Sequence, residues 1–275
     1  APFNRNFAAY ISAVLTGVNA PMARNGPVAL VTGGARRIGA AIIQDLSAHG
    51  FGVAIHCNRS REEADRLADE IGRAGGKAVV LPADLCAPEA GAGLIAAAAD
   101  ALGPVRLLVN NASAFDDDSP ADPDWERWDR HFALHLKAPV ALASTMARRL
   151  PADSDGLVVN VIDQRVWKLT PQFFSYTLSK SALWTATRTM AQGLAPRVRV
   201  NAIGPGPTLK NARQAVSDFR AQTDALPLGH GPLLTEFGAT IRYLWQTPSI
   251  TGQMIALDGG QHLAWQTPDV TGMRE

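Results

Sequence analysis

Tyr176 and Lys180 stand four residues apart in the stretch Tyr176-Thr177-Leu178-Ser179-Lys180. Positions four apart share a helix face, so both side chains are expected to enter one site. An ammonium near a phenol lowers its pKa and can also bind a ribose hydroxyl, which makes the tyrosine a usable proton donor or acceptor. That spacing alone also fits an ordinary pair on a helix surface. Asp163, at the end of the apolar run that precedes this helix, makes the set more specific.

A second group of residues has the chemistry to hold a dinucleotide. Thr32-Gly33-Gly34-Ala35-Arg36-Arg37-Ile38-Gly39 follows an apolar run and opens a helix. Glycines let the backbone turn sharply and approach a pyrophosphate, which then meets the amides at the helix N-terminus. Any tight strand-to-helix turn could use glycine, but this one is the first such unit in the chain, the context the motif requires. The second apolar run ends in His56-Cys57-Asn58-Arg59-Ser60. No acid stands there, where an NAD-preferring site holds the ribose 2′-hydroxyl with Asp or Glu. Arg59 and Ser60, aided by Arg36 or Arg37, suit a 2′-phosphate, so NADPH is the expected cofactor. Asp84-Leu85 ends the third unit, where an acid can meet the adenine amino group, and Asn110-Asn111-Ala112-Ser113 ends the fourth. Each pair alone is compatible with turn chemistry. Together, at successive strand ends, they outline one crevice.

The elements that must position these residues alternate along the chain. Strands are predicted over Val28–Thr32, Gly52–Cys57, Lys77–Leu81, Val105–Val109, Gly156–Ile162, Val198–Ile203 and Met254–Leu257. Helices are predicted from Ile38 to Gly50 and over Arg61–Arg73, Glu89–Leu102, Trp125–Leu150, Ser175–Ala195 and Thr235–Trp245. Short, continuously apolar strands between helices imply a parallel sheet buried on both faces. The expected fold is α/β, a single Rossmann-like, doubly wound domain. Asp116–Asp124 and Leu209–Leu233 are loop-like in composition and are expected to line a substrate cleft.

Composition bounds the function. The 275 residues fit one large domain, and 26 Lys+Arg against 25 Asp+Glu leave a net charge of +1. No strong field draws such a chain to nucleic acid or membrane, and no apolar run is long enough to span a bilayer. With 47% hydrophobic and 19% charged residues, a packed globule is expected. Cys57 and Cys86 lack metal-ligand spacing, and the six histidines are scattered, so no metal site is expected. A reducing compartment, the cytoplasm, fits two cysteines. Residues 1–22 precede the first strand signal, with Met22 just before it, and are expected to be an extension ahead of one domain over 23–275. A signal-peptide remnant is the alternative reading of Phe7–Val18.

The ordered motifs carry a resemblance. Thr32–Gly39, Asn110-Asn111-Ala112, Tyr176 with Lys180, Asn201-Ala202-Ile203-Gly204-Pro205-Gly206 and Thr251-Gly252-Gln253 through Leu257-Asp258-Gly259-Gly260 together resemble the short-chain dehydrogenase/reductase family across residues 27–263. Most members carry serine at the position of Asp163 and glycine at that of Arg37. With His56, Arg59-Ser60 and Phe115, these departures resemble the pteridine reductase branch, which includes bacterial dihydromonapterin and dihydrofolate reductases. The resemblance implies NADPH-dependent reduction of a pterin C=N bond by a homo-oligomer, expected to be a tetramer. The tail Trp265–Glu275 is expected to reach a neighbouring subunit.

Implied residue roles follow. Gly33, Arg36, Arg37, Ile38, Gly39, Asn58, Arg59, Ser60, Asp84, Leu85, Asn111, Ala112, Ser113, Tyr176, Lys180, Pro205, Gly206 and Thr208 would hold the cofactor. Arg37, Ser113, Phe115, Asp163 and Tyr176 would meet the substrate, with Phe115 stacked on the pterin. Tyr176 would donate the proton, Asp163 would sustain and resupply it, and Lys180 would anchor the ribose. His135 falls near a relay asparagine of many relatives, and either takes that part or is a packed helix histidine. Two other readings use the same residues: a carbonyl or alcohol oxidoreductase, and a catalytically inactive NADPH-binding module.

Overall fold

The computed structural model describes residues 26–87, 89–210, 214–267 and Thr271; the extension over 1–22 and most of the tail after Thr267 lie outside the described residues. Strands β1 (Val28–Val31), β2 (Gly52–Cys57), β3 (Ala78–Pro82), β4 (Val105–Asn110), β5 (Gly156–Val161), β6 (Val198–Pro205) and β7 (Met254–Leu257) form one sheet. Its order is β3-β2-β1-β4-β5-β6-β7, and every neighbouring pair is parallel. The helices are α1 (Arg37–Ala48), α2 (Arg61–Arg73), α3 (Ala90–Leu102), α4 (Trp125–Phe132), α5 (Ala138–Arg149), α6 (Phe174–Gly193), α7 (Val216–Asp224) and α8 (Leu234–Gln246).

Alternation along each strand builds two cores from one apolar run. On β1, Ala29 and Val31 join Ile42, Ile43 and Leu46 of α1 and Phe237, Ile241 and Leu244 of α8. Val28 and Leu30 face the other way, onto Leu94 and Ile95 of α3 and Leu142 and Met146 of α5. Both faces of a β1 residue pair are therefore dry, which is why the strands read as continuously apolar rather than alternating. The strand order reverses between β1 and β4. Their carboxyl ends diverge there and leave the crevice that doubly wound sheets use for ligands.

Two segments depart from expectation. The helix expected over Trp125–Leu150 contains a π-turn at Ala133–Lys137 between α4 and α5. Such wide turns push a side chain out of the regular ladder and recur at functional sites. The segment Leu209–Leu233 is not all loop, because it contains α7; none of the residues of α7 is buried, so no apolar period announces it. Asp116–Asp124 does lack regular elements apart from a Ser119–Asp122 bridge. Its carboxylates cap helices. Asp124 accepts from the Arg127 amide of α4 at 2.9 Å, while Asp117 and Asp118 accept from the Phe173 and Ser175 amides that begin α6, at 3.1 and 3.0 Å. Anionic groups at a helix N-terminus satisfy its orphan donors and oppose its dipole. The acidic stretch thereby orients the helix that carries Tyr176 and Lys180.

Candidate active site

The floor of the crevice is braced by three side chains. Thr32 Oγ1 accepts from the Asn111 and Ala112 amides at 2.9 and 3.0 Å, and Asn111 Nδ2 donates to the carbonyls of Thr32 and Gly33 at 2.9 and 3.0 Å. His56 ties the neighbouring strand end. Its Nδ1 accepts from the Gly33 amide at 3.0 Å, and its Nε2 contacts the Ala83 carbonyl at 3.1 Å, which requires the proton on Nε2. Burial holds this imidazole below the ordinary histidine range, in the neutral form that such pairing needs. Gly33 lies at φ +62°, and a Cβ there would come within 3.0 Å of Ala112 Cα. A Cβ on Gly39 would strike the Gly33 carbonyl oxygen. The glycines are thus required where the loop presses against β4 and where the helix starts.

A cleft of about 750 Å3 runs over this floor. Its walls include Gly33, Arg36, Arg37, Ile38 and Gly39 from the first loop and Asn58, Arg59 and Ser60 from the end of β2. Asp84, Leu85, Asn111, Ala112 and Ser113 complete the far side. The residues fit a dinucleotide phosphate: glycines allow close approach, helix amides open α1, and guanidinium and hydroxyl groups replace a carboxylate at the end of β2. Glu63 sits 3.7 Å from Arg36, an exposed pair of little energetic weight.

A second cavity, about 740 Å3, shares Arg37, Ile38, Asn111, Ser113 and Phe115 with the first. It holds Asp163, Tyr176 and Lys180, and also Pro205, Gly206 and Thr208. Every site residue expected from sequence therefore lines one of two adjoining cavities. Tyr176 donates its phenolic hydrogen to Asp163 Oδ2 at 2.9 Å, and Asp163 Oδ1 accepts the Arg165 amide at 2.9 Å. Lys180 Nζ donates to the Val161 carbonyl at 2.8 Å. Burial pushes the Tyr176 phenol well above its ordinary range, and the Asp163 carboxylate pushes it further. Any lowering by the lysine is outweighed, so the phenol keeps its proton. Burial also raises Asp163, against its bonds to Arg165 and Tyr176. Lys180 is lowered to about 8 by burial, with Asp163 opposing.

Three neighbours escaped sequence reasoning. Phe173 stacks on Phe115 with ring centroids 4.1 Å apart, and the Arg165 guanidinium lies over both rings. Gln164 lines the same cavity and is buried, with no hydrogen-bond partner for its Oε1. Their proximity in sequence to Asp163 and Tyr176 is the only signal that could have pointed to them. Arg37 sits at φ +54°, in the left-handed region that favours glycine. Its guanidinium reaches across the cleft to the carbonyls of Leu209 and Lys210, at 3.0 and 3.1 Å. Thr208 Oγ1 turns back onto the Gly206 carbonyl at 3.1 Å. Asp84 closes its own turn by accepting from the Cys86 amide at 3.0 Å.

Residues 27–221 match the family model for the short chain dehydrogenase. The chain belongs to the short-chain dehydrogenase family. Among solved structures, it is similar to FolM alternative dihydrofolate reductase 1 from Brucella suis in complex with NADP, at 64% identity and a TM-score of 0.87, covering 89% of this chain and 98% of that one. The counterpart from Brucella canis, complexed with NADP, is 62% identical with a TM-score of 0.85 over the same shares of each chain. A more distant relative is L-xylulose reductase of Bos taurus, 33% identical over 86% of this chain and 96% of its own length. The similarity to these FolM structures agrees with the pteridine and dihydrofolate reductase branch that the motifs resemble. Among the described residues, no helix is long and apolar enough to cross a membrane, and no group of three or more His, Cys, Asp or Glu could hold a metal. Arg37 holds a left-handed backbone that favours glycine, and its guanidinium faces both cavities.

Proposed function

We propose that this chain is an NADPH-dependent reductase of a dihydropterin or dihydrofolate C=N bond. The observation that carries the reading is the hydrogen bond of Tyr176 to Asp163, beside Phe115 in a cavity that adjoins the cofactor cleft. A ketone reductase needs a donor to its carbonyl oxygen. An imine instead needs a proton delivered to nitrogen, and a carboxylate that keeps the phenol protonated serves that need. The similar Brucella dihydrofolate reductases, solved with NADP, support the same substrate class and cofactor.

NADPH, when bound, supplies the hydride. Tyr176 gives its phenolic proton to the substrate nitrogen, and Asp163, whose affinity for a proton is raised by burial, takes up a proton from solvent and passes it to the phenolate. Lys180 would anchor the ribose hydroxyls. Arg36, Arg59 and Ser60 would hold the 2′-phosphate, and Phe115 would offer a face to a flat pterin. The enzyme works as one domain over residues 23–275, in the cytoplasm, as a homotetramer.

NADPH oxidation with dihydromonapterin, dihydrobiopterin, dihydrofolate and a set of ketones tests the reading. Turnover confined to ketones would refute it, and tight NADPH binding without any turnover would mark an inactive module. In the same assay, Arg59→Ala is expected to weaken NADPH about tenfold or more and to leave NADH nearly unchanged, as loss of a charge-assisted phosphate contact requires. Equal losses on both cofactors would remove Arg59 from the 2′-phosphate.

The lysine adds a pH dependence. Below about 8 Lys180 is an ammonium and above it neutral, so kcat/KM for NADPH is expected to fall as pH rises through that value. Lys180→Arg, whose charge persists, should move that alkaline limb upward. A limb unmoved by the substitution would assign it to another group.

A further inference from the structure

Beyond the groups assigned to the cofactor and the pterin ring, the second cavity is lined by Arg165, Phe173, Gln214, Phe219 and Gln222. Its volume of about 740 Å3 lies in the range of roughly 300–1,000 Å3 that takes a drug-sized ligand. Three cations stand on its wall: Arg37, Lys180 and Arg165. The first two are engaged. Arg37 donates to the carbonyls of Leu209 and Lys210, and Lys180 to that of Val161. Among the described residues, the Arg165 guanidinium makes one hydrogen bond, from Nη1 to Thr170 Oγ1 at 2.8 Å, and no ion pair. Asp117, the acid that lines this cavity besides Asp163, is turned onto the Phe173 amide at 3.1 Å.

The position of that guanidinium is fixed by aromatic rings. Its central carbon lies 5.1 Å from the Phe173 centroid and 5.8 Å from that of Phe115, so the fork sits beside the ring offered to the pterin. A planar fork with N–H groups to spare matches a carboxylate bidentately. The helix α7 brings the remaining chemistry. Phe219 and Gln222 stand three residues apart, on one helix face, and both line the cavity. None of the residues of α7 is buried, so Phe219 belongs to no core and stays half-buried at the cavity wall. An aromatic ring held there gains contact from a flat ring of a ligand. Gln222 Oε1 accepts from Gln214 Nε2 at 3.0 Å, a neutral polar pair that suits an uncharged amide.

We propose that this part of the cavity is a subsite for a pterin side chain built of an aryl amide and a terminal carboxylate, with Phe219 against the aryl ring and Arg165 as the anchor of the carboxylate. The inference rests on the reading of the chain as a dihydropterin or dihydrofolate reductase and deepens it: of those two substrate classes, it assigns dihydrofolate. The carbon that receives the hydride is the ring carbon that bears the side chain. The side chain therefore leaves the ring beside Tyr176 and Asp163, and Arg165 follows Asp163 by two residues. Its amide is bonded to the Asp163 carboxylate at 2.9 Å, which ties the anchor to the reacting centre.

The test compares dihydrofolate with methyl dihydropterin, which has the same reacting bond and no side-chain carboxylate, at saturating NADPH. Wild type is expected to favour dihydrofolate in kcat/KM by about tenfold or more, expressed mainly in KM. Arg165→Met should cut that preference about tenfold, as loss of a charge-assisted hydrogen bond does. Arg165→Lys, a point charge without the fork, should restore part of it. Phe219→Ala should lower the same ratio about threefold through lost ring contact. Equal losses on the two substrates in Arg165→Met, or a wild type that favours methyl dihydropterin, would overturn the proposal. Fluorescence titration of the NADP-bound protein with each compound reads the same contrast without turnover. Dihydrofolate binding that Arg165→Met leaves unchanged would overturn it as well. Turnover confined to ketones would sink the functional reading instead.

Discussion

Tyr176→Phe is expected to lower kcat for dihydropterin reduction about a thousandfold while leaving NADPH affinity within about twofold. The substitution removes one oxygen and keeps the ring, so the edge-on contacts with Phe115 and His135 at 4.8 and 5.4 Å should survive. What is lost is the proton that the substrate nitrogen must receive. Hydride cannot settle on the carbon of a C=N bond unless the nitrogen's growing negative charge is met by a proton. Among the described residues, no other side chain donates a hydrogen bond to Asp163. The NADPH affinity should hold because Tyr176 lies at the substrate side of the cleft, away from Arg36, Arg59 and Ser60. Single-turnover kinetics with NADPH fluorescence separates the two quantities. A rate close to wild type would remove Tyr176 from the proton-donor role.

Asp163→Asn is expected to cost about a hundredfold in kcat for the dihydropterin, through two losses. An amide cannot carry the replacement proton, and it no longer opposes ionisation of the phenol. It nevertheless keeps the size of the carboxylate and an oxygen for the Arg165 amide, so the turn at Asp163 should stay folded. Asp163→Ser goes further, because a hydroxyl that can donate to a carbonyl oxygen replaces the carboxylate. The ratio of kcat/KM for a ketone to that for a dihydropterin is expected to rise in Asp163→Ser. Measured with both substrates on both variants, equal losses would show that the carboxylate serves only the turn that it caps. A selective loss on the dihydropterin would tie it to nitrogen protonation.

Much of this site was legible in sequence because its residues sit where secondary structure ends. Thr32–Gly39, Asn58–Ser60, Asp84-Leu85 and Asn111–Ser113 each follow an apolar strand, and a parallel sheet gathers such ends at one edge. Asp163 and Tyr176 come together for the same reason, one at the end of β5 and the other in the first turns of α6. The strand pattern was equally readable, since two dry faces demand unbroken apolar runs. What was illegible depended on three-dimensional neighbours. His56 ends an apolar strand like any packed residue, and only the fold shows its two nitrogens bridging the Gly33 amide and the Ala83 carbonyl. His135 was ambiguous for a similar reason: the residues that define its tautomer, Ala114 and Ser179, lie on a different loop and a different helix. Composition alone places the acidic loop at the cleft, and its work as a cap for α6 depends on the position of that helix. α7 had no apolar period because none of its residues is buried.

The brace formed by Thr32, Asn111 and His56 has a consequence for how this scaffold changes hands between cofactors. The crevice floor is held by buried or half-buried groups that are bonded to one another, whereas Arg36, Asn58 and Arg59 at its mouth are exposed. Substitutions at exposed positions seldom disturb folding by more than about half a kcal/mol. Cofactor choice is therefore a replaceable module, free to drift or be engineered at the rim while the shape beneath it stays constant.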